Sequence, residues 1–273
     1  MEAIGKEEYQ EPRCLLGMEP LGEPERLAPV PLRRVVEKLD EYCARRDFAG
    51  AERHLDYWLA EARQAGDRRG EFSLQNERMG FYRKQGRREE AYAAAGAALE
   101  LISAADEVSA ATCHVNVGTV YDSFGEPERA VPEFQAARVG YEAALDPKDP
   151  RLGGLYNNMG MALAETGDYA EADRLFRRAL DIMEGTAFGP WEQAMTWLNM
   201  ADAAEREHGA EAAEEPIQDC LTHAQALLDR ESPPRNAYYA FICEKCAPGF
   251  DYHGWFFYAA ELRERAERCY EWT

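Results

Sequence analysis

Small and aromatic residues return along this chain at fixed offsets. In LYNNMGMALAETGDYAEADRLFRRAL, residues 155–180, Gly160, Leu163, Gly167, Ala172, Phe176 and Ala179 fall at offsets 0, 3, 7, 12, 16 and 19. The earlier stretch VNVGTVYDSFGEPERAVPEFQAA puts Gly118, Tyr121, Gly125, Ala130, Phe134 and Ala137 at the same offsets. Weaker copies keep the register: Leu39, Tyr42, Ala51 and Leu55; then Met79, Tyr82, Gly86, Ala91 and Ala98. A fifth copy holds Trp197, Met200, Ala201, Ala204, Ala213 and Ile217, with one residue inserted near His208. The alanine of the second half recurs at 51, 91, 130, 172 and 213, and Ala259 extends the series with Ala247, Phe250 and Gly254. The pattern predicts six repeats, near residues 32–65, 72–105, 111–145, 153–185, 191–229 and 236–271. Local signals agree: Pro127 and Pro190 sit where a helix begins, and DPKDPRLGG, EGTAFGP and RESPPRN read as breaks between repeats.

The pattern resembles the tetratricopeptide repeat, W-x2-L-G-x2-Y followed by a small residue, Ala, Phe and Ala. That resemblance implies two antiparallel helices per repeat, A and B. Small residues such as Gly160 and Ala172 let the backbones approach, and Leu163 and Phe176 fill the surrounding space. The expected fold is an all-α, right-handed superhelical solenoid of about six helix pairs over residues 32–273, preceded by a proline-rich arm, residues 1–31. A spacing of 39 to 42 residues is similar to that of kinesin light chains and related bacterial proteins. The CEKCAPGF tail is similar to that of stand-alone bacterial tetratricopeptide proteins.

The resemblance also implies that helix A lines a concave face that receives extended peptides or partner segments. The groove-facing positions are the second, fifth, sixth, ninth, twelfth and thirteenth of each repeat. The sixth reads Glu77, Asn116, Asn158 and Asn199, with Asn76 and Asn157 at the fifth. A column of amides offers donors and acceptors to a peptide backbone whatever its side chains; the plainer alternative is that these asparagines bond between helices. Around the column stand Asp40, Arg83, Lys84, Thr119, Asp122, Glu165, Asp202, Glu205, Arg206 and Lys245. Their signs match a ligand with a cationic segment and one anionic end. The alternating Lys/Arg and Asn of chaperone-tail receptors is not present.

Composition narrows the function further. Fifty-one acidic against 31 basic residues leave a formal charge of −20, which disfavours phosphate backbones and anionic membranes. The start, MEAIGKEEYQEP, carries no apolar run, so the chain is expected to stay in the cytoplasm with its seven cysteines reduced. No GxSxG, P-loop or HExxH motif occurs, so no catalytic residue, cofactor or resident metal is predicted. His114 falls at a buried position and reads as a satisfied core histidine. In the arm, Leu15, Leu16, Met18 and Leu21 need cover: the arm caps the first repeat or lies in the groove as a competitor.

The stretch FICEKCAPGFDYHGWFFY holds the sharpest chemical candidate. Zinc at Cys243-x-x-Cys246 would need two more ligands, of which His253 supplies at most one. In the repeat register both cysteines point into the helix-packing core. Pro248-Gly249 is expected to kink or end helix A. Tyr238, Tyr239, Phe250, Tyr252 and Trp255 then either pack as a terminal cap or form an aromatic pocket at the groove's end. The expected function is a non-enzymatic scaffold binding a protein or peptide. The alternatives are a peptide sensor without a DNA-binding domain and a metal or thiol enzyme centred on Cys243 and Cys246.

Overall fold

A computed structural model of the chain describes residues 29–231 and 235–271. The described residues form twelve α-helices and no strand, paired as A and B helices in six successive repeats. The pairs are α1 (Leu32–Ala44) with α2 (Phe48–Ala65), α3 (Arg68–Lys84) with α4 (Arg88–Glu100), and α5 (Glu107–Ser123) with α6 (Pro127–Ala144). They continue with α7 (Pro150–Thr166) and α8 (Tyr169–Glu184), α9 (Gly189–His208) and α10 (Glu214–Leu228), and α11 (Ala237–Tyr252) and α12 (Phe256–Glu271). Each A helix packs on its own B helix and on the A helix of the next repeat. The apolar residues 15–21 of the arm, and the choice between cap and competitor, lie outside the described residues.

The repeated small residues fix how closely each pair packs. A Cβ added at Gly118 would stand 2.6 Å from the Phe134 ring, and one at Gly160 would stand 2.7 Å from Phe176. Each phenylalanine of helix B is thus seated against a bare helix A backbone. The key alanines 51, 91, 130, 172, 213 and 259 are all buried to 1% exposure or less. The core consists of three successive clusters: Val35 to Val120, Ala111 to Met183, and Trp191 to Ala266. Layering of this kind follows from stacking, because each repeat can bury its apolar face only against its neighbours.

The turn between A and B helices needs one residue at positive φ. Glycine takes it in five repeats, at 86, 125, 167, 209 and 254, while the first repeat uses Arg46 at φ 55°. Helix starts are set by side-chain caps: Asp67, Asp106 and Asp149 accept from backbone N–H groups at the starts of α3, α5 and α7. These caps carry the helices back to residues 68, 107 and 150, ahead of the repeat starts at 72, 111 and 153. Half of DPKDPRLGG is therefore helical rather than a break.

At Pro248 the helix does not end: α11 runs through it to Tyr252. The ring lies on the exposed side of the helix, while Ile242, Cys246, Ala247 and Phe250 on the other side are buried at 0–1% exposure. Core packing along that face holds the helix together across the donor that proline lacks. None of the described helices is long and apolar enough to cross a membrane.

Candidate functional site

Five A helices wall one cavity of about 370 Å³. Arg83 enters from α3, Thr119 and Asp122 from α5, and Asn157, Asn158 and Met161 from α7. Met195, Leu198, Asn199 and Asp202 come from α9, and Lys245, Cys246 and Gly249 from α11. A second cavity of about 340 Å³ lies toward the first repeat, between Asp40 of α1 and Glu77 and Lys84 of α3, with Phe48 and Phe81 as apolar walls. A third, at the other end, is bounded by Asp202, Glu205, Arg206, Pro248, Gly249 and Tyr252. All three are lined mainly by residues of A helices.

The asparagine column divides into pairs. Asn116 Nδ2 donates to Asn76 Oδ1 at 3.2 Å, and Asn199 Nδ2 donates to Asn157 Oδ1 at 2.9 Å. Asn76 Nδ2 also donates to the Phe72 carbonyl, and Asn157 is 5% exposed. The fifth-position amide of one repeat thus bonds to the sixth-position amide of the next, which ties neighbouring A helices together. Asn158 differs: it lines the cavity half-exposed, and its amide makes no hydrogen bond to a described residue.

The charged groups sort in the same way. Glu165 is paired with Arg206 at 3.1 Å, and Asp202 with His253 Nε2 at 2.8 Å. The His253 ring is 5% exposed, and its Nδ1 lies 3.8 Å from Glu205. Lys245 sits on the rim, its ammonium 5.6 Å from the centre of the Phe241 ring. Glu77, in the smaller cavity, has its carboxyl raised by burial and then by Asp40. Two half-buried charges of the 370 Å³ cavity have no counterpart among the described residues. The half-buried Arg83 guanidinium makes no ion pair or side-chain hydrogen bond to a described residue, and burial pulls its pKa down. Asp122 Oδ1 is buried without a hydrogen-bond partner, and burial together with Glu165 pushes its carboxyl up to about 6.

The aromatic candidates do not form one pocket. Tyr239 and Phe250 are fully buried in the core, and Tyr238 packs with Phe188 and Trp191 at the α9–α11 joint. Trp255 packs against Phe250 and Tyr258 at the opposite end of α11. Only Tyr252, at a thirteenth position, reaches the groove, where its hydroxyl donates to Glu205. The aromatics were drawn toward one site by their density in sequence, but successive helical residues point around the axis and divide them between core and groove.

Cys243 and Cys246 are both 0% exposed. Burial pushes the Cys243 thiol up to about 11 and Cys246 higher, so both stay protonated and behave as core residues. His114 is half-buried rather than buried, with Nδ1 2.7 Å from Glu133 Oε2. The apolar floor of Met161, Met195 and Leu198 was passed over in sequence, although these residues occupy ninth, second and fifth positions, all groove-facing. Apolar residues at groove positions look like core residues in sequence, because both kinds recur with the helical period.

The tetratricopeptide repeat family model matches residues 151–226, the span from α7 to α10. No curated protein matches the chain. Among solved structures, BtubC (BKLC) from P. vanneervenii is similar at 15% identity and a TM-score of 0.55, over 83% of this chain and 91% of that one. A putative kinesin light chain of Podosopora anserina with nearly identical TPR-like repeats is 17% identical over 71% of this chain and 92% of its own, with a TM-score of 0.46.

Proposed function

This chain is a tetratricopeptide-repeat protein, and from that premise we propose that it is a scaffold that holds an extended peptide or partner segment in the A-helix groove. Proteins of this family generally mediate protein–protein interactions. The observation that carries the reading is the 370 Å³ cavity walled by five successive A helices, with the unbonded Asn158 amide facing into it. Burying a backbone segment requires partners for its N–H and C=O groups, and a free amide supplies one of each. The apolar floor of Met161, Met195 and Leu198 gives side chains a place to dock, with methionine adapting to more than one shape.

Asn116 and Asn199 are poor places to test this, because changing them breaks helix-to-helix bonds. Asn158→Ala removes only the free amide. Panning a displayed random dodecapeptide library on the full chain should enrich a defined set of sequences. Their affinity, measured by calorimetry, should fall about five- to tenfold in Asn158→Ala, the value of one hydrogen bond. Enriched peptides that bind the variant as tightly as the parent would remove the groove from the account.

A further inference from the structure

We propose that the groove selects peptides carrying one carboxylate and one basic side chain, the carboxylate docking on Arg83 and the basic group on Asp122. This inference rests on the peptide-binding reading of the groove and names what that peptide must carry.

Two charges in the cavity lack partners among the described residues. The other pocket-lining carboxylate, Asp202, is held by His253, and Glu165 beside the pocket is held by Arg206. Arg83 and Asp122 share the cavity, yet neither is bonded to the other or to any other described residue. An uncompensated, partly desolvated charge costs folding free energy. Simple surface residues avoid that cost by staying in water. A guanidinium and a carboxylate that lose water inside one cavity, without a partner, are arranged for partners that arrive from outside.

The two groups occupy the same position, the twelfth, in successive repeats. Neighbouring packed helices lie about 8–10 Å apart. Side chains two residues apart on an extended segment leave the same face about 7 Å apart, so a Glu-x-Lys or Lys-x-Glu segment spans both groups. The guanidinium offers a two-toothed fork to a carboxylate. On the Asp122 side, Glu165 of α7 adds to the negative field, Asp202 of α9 lines the same cavity, Phe134 of α6 adds an apolar wall, and Lys245 of α11 stays at the rim. A lysine or arginine from the ligand would supply the donor that Oδ1 lacks.

Binding should also depend on pH. Burial and then Glu165 push the Asp122 carboxyl up to about 6, and only its ionised form attracts a cation. Affinity for the basic side chain should therefore fall about fivefold from pH 7 to pH 5, as the ionised fraction falls.

The test uses the dodecapeptides enriched on the full chain and their Lys→Gln and Glu→Gln versions, against wild type, Asp122→Asn and Arg83→Gln. We expect an acidic and a basic residue two positions apart among the enriched sequences. Loss of the ligand lysine should cost about tenfold on wild type and nothing on Asp122→Asn; loss of the glutamate should do the same with Arg83→Gln. The melting temperature of Asp122→Asn at neutral pH should rise, because a stranded charge is removed; a fall would mean that Asp122 has a structural partner and would overturn the inference. Enriched peptides without charge, or charge preferences untouched by both variants, would overturn it and leave peptide binding standing. If no sequence is enriched at all, both readings fall together.

Discussion

Arg46 sits where the other five repeats place glycine. Its φ of 55° is left-handed, a conformation that costs an L-residue with a Cβ about 1–2 kcal/mol. Part of that is offset by the entropy glycine would lose on folding, so Arg46→Gly should stabilise the chain by about 0.5–1 kcal/mol in a denaturant titration. A loss instead would show that the arginine side chain earns its place in the first turn. Asp122 makes a residue-scale prediction with a pH sign. Its folded pKa of about 6 lies above the ordinary 3.9 for aspartate, so the folded state holds a proton that the unfolded state has already released. Its destabilising effect is absent at low pH and grows as pH rises through 6. The gain in melting temperature of Asp122→Asn over wild type should therefore shrink to about half between pH 7 and pH 5. A gain that is constant with pH would mean the carboxyl is not raised. Neither residue stood out in sequence for these reasons. Arg46 is hidden because a positive φ leaves no mark when glycine is absent. Asp122 was visible as a groove charge, but its missing partner depends on distances that no spacing rule contains.

At the scale of single helices, α11 tests how far packing overrides local preference. A proline inside a helix costs about 3 kcal/mol relative to alanine, through a lost hydrogen bond and ring crowding. Here the helix continues, with five of its residues, Ile242, Cys243, Cys246, Ala247 and Phe250, buried on the core side of Pro248. The proline lies on the opposite, exposed face, where its ring meets solvent rather than the core. Pro248→Ala should accordingly add about 1–3 kcal/mol to stability, read by chemical denaturation, and leave the helical circular dichroism unchanged. An increase in helical signal would instead mean that the helix is broken at Pro248 in solution. The sequence announced the proline and the buried cysteines alike; what it could not weigh was the strength of those five buried neighbours against one missing donor. The asparagine pairs give the same lesson. Column and spacing were plain at 76, 116, 157, 158 and 199, but only the geometry separates Asn158 from the four amides that tie helices together.

The molecule as a whole is a stack, and its regularity is why the fold was legible. Glycine against phenylalanine at 118/134 and 160/176, and a buried alanine at the start of every B helix, state a close helix contact directly in residue type. Capping aspartates, by contrast, moved helix starts by a few residues, because a cap acts through its own side chain and leaves no period. Stacking also predicts how damage spreads. The three core clusters meet only at their borders, so strain in one should stay local. A Cβ at Gly160 would press within 2.7 Å of the Phe176 ring, which is 1% exposed in the middle cluster. Overpacking of this kind typically costs about 1–3 kcal/mol. Gly160→Ala should therefore raise amide hydrogen exchange in α7 and α8 and at the groove wall they form, while α2 to α4 keep their protection. Uniform loss of protection along all six repeats would mean that the stack opens as a single cooperative unit, and the segmental picture of its core would be wrong.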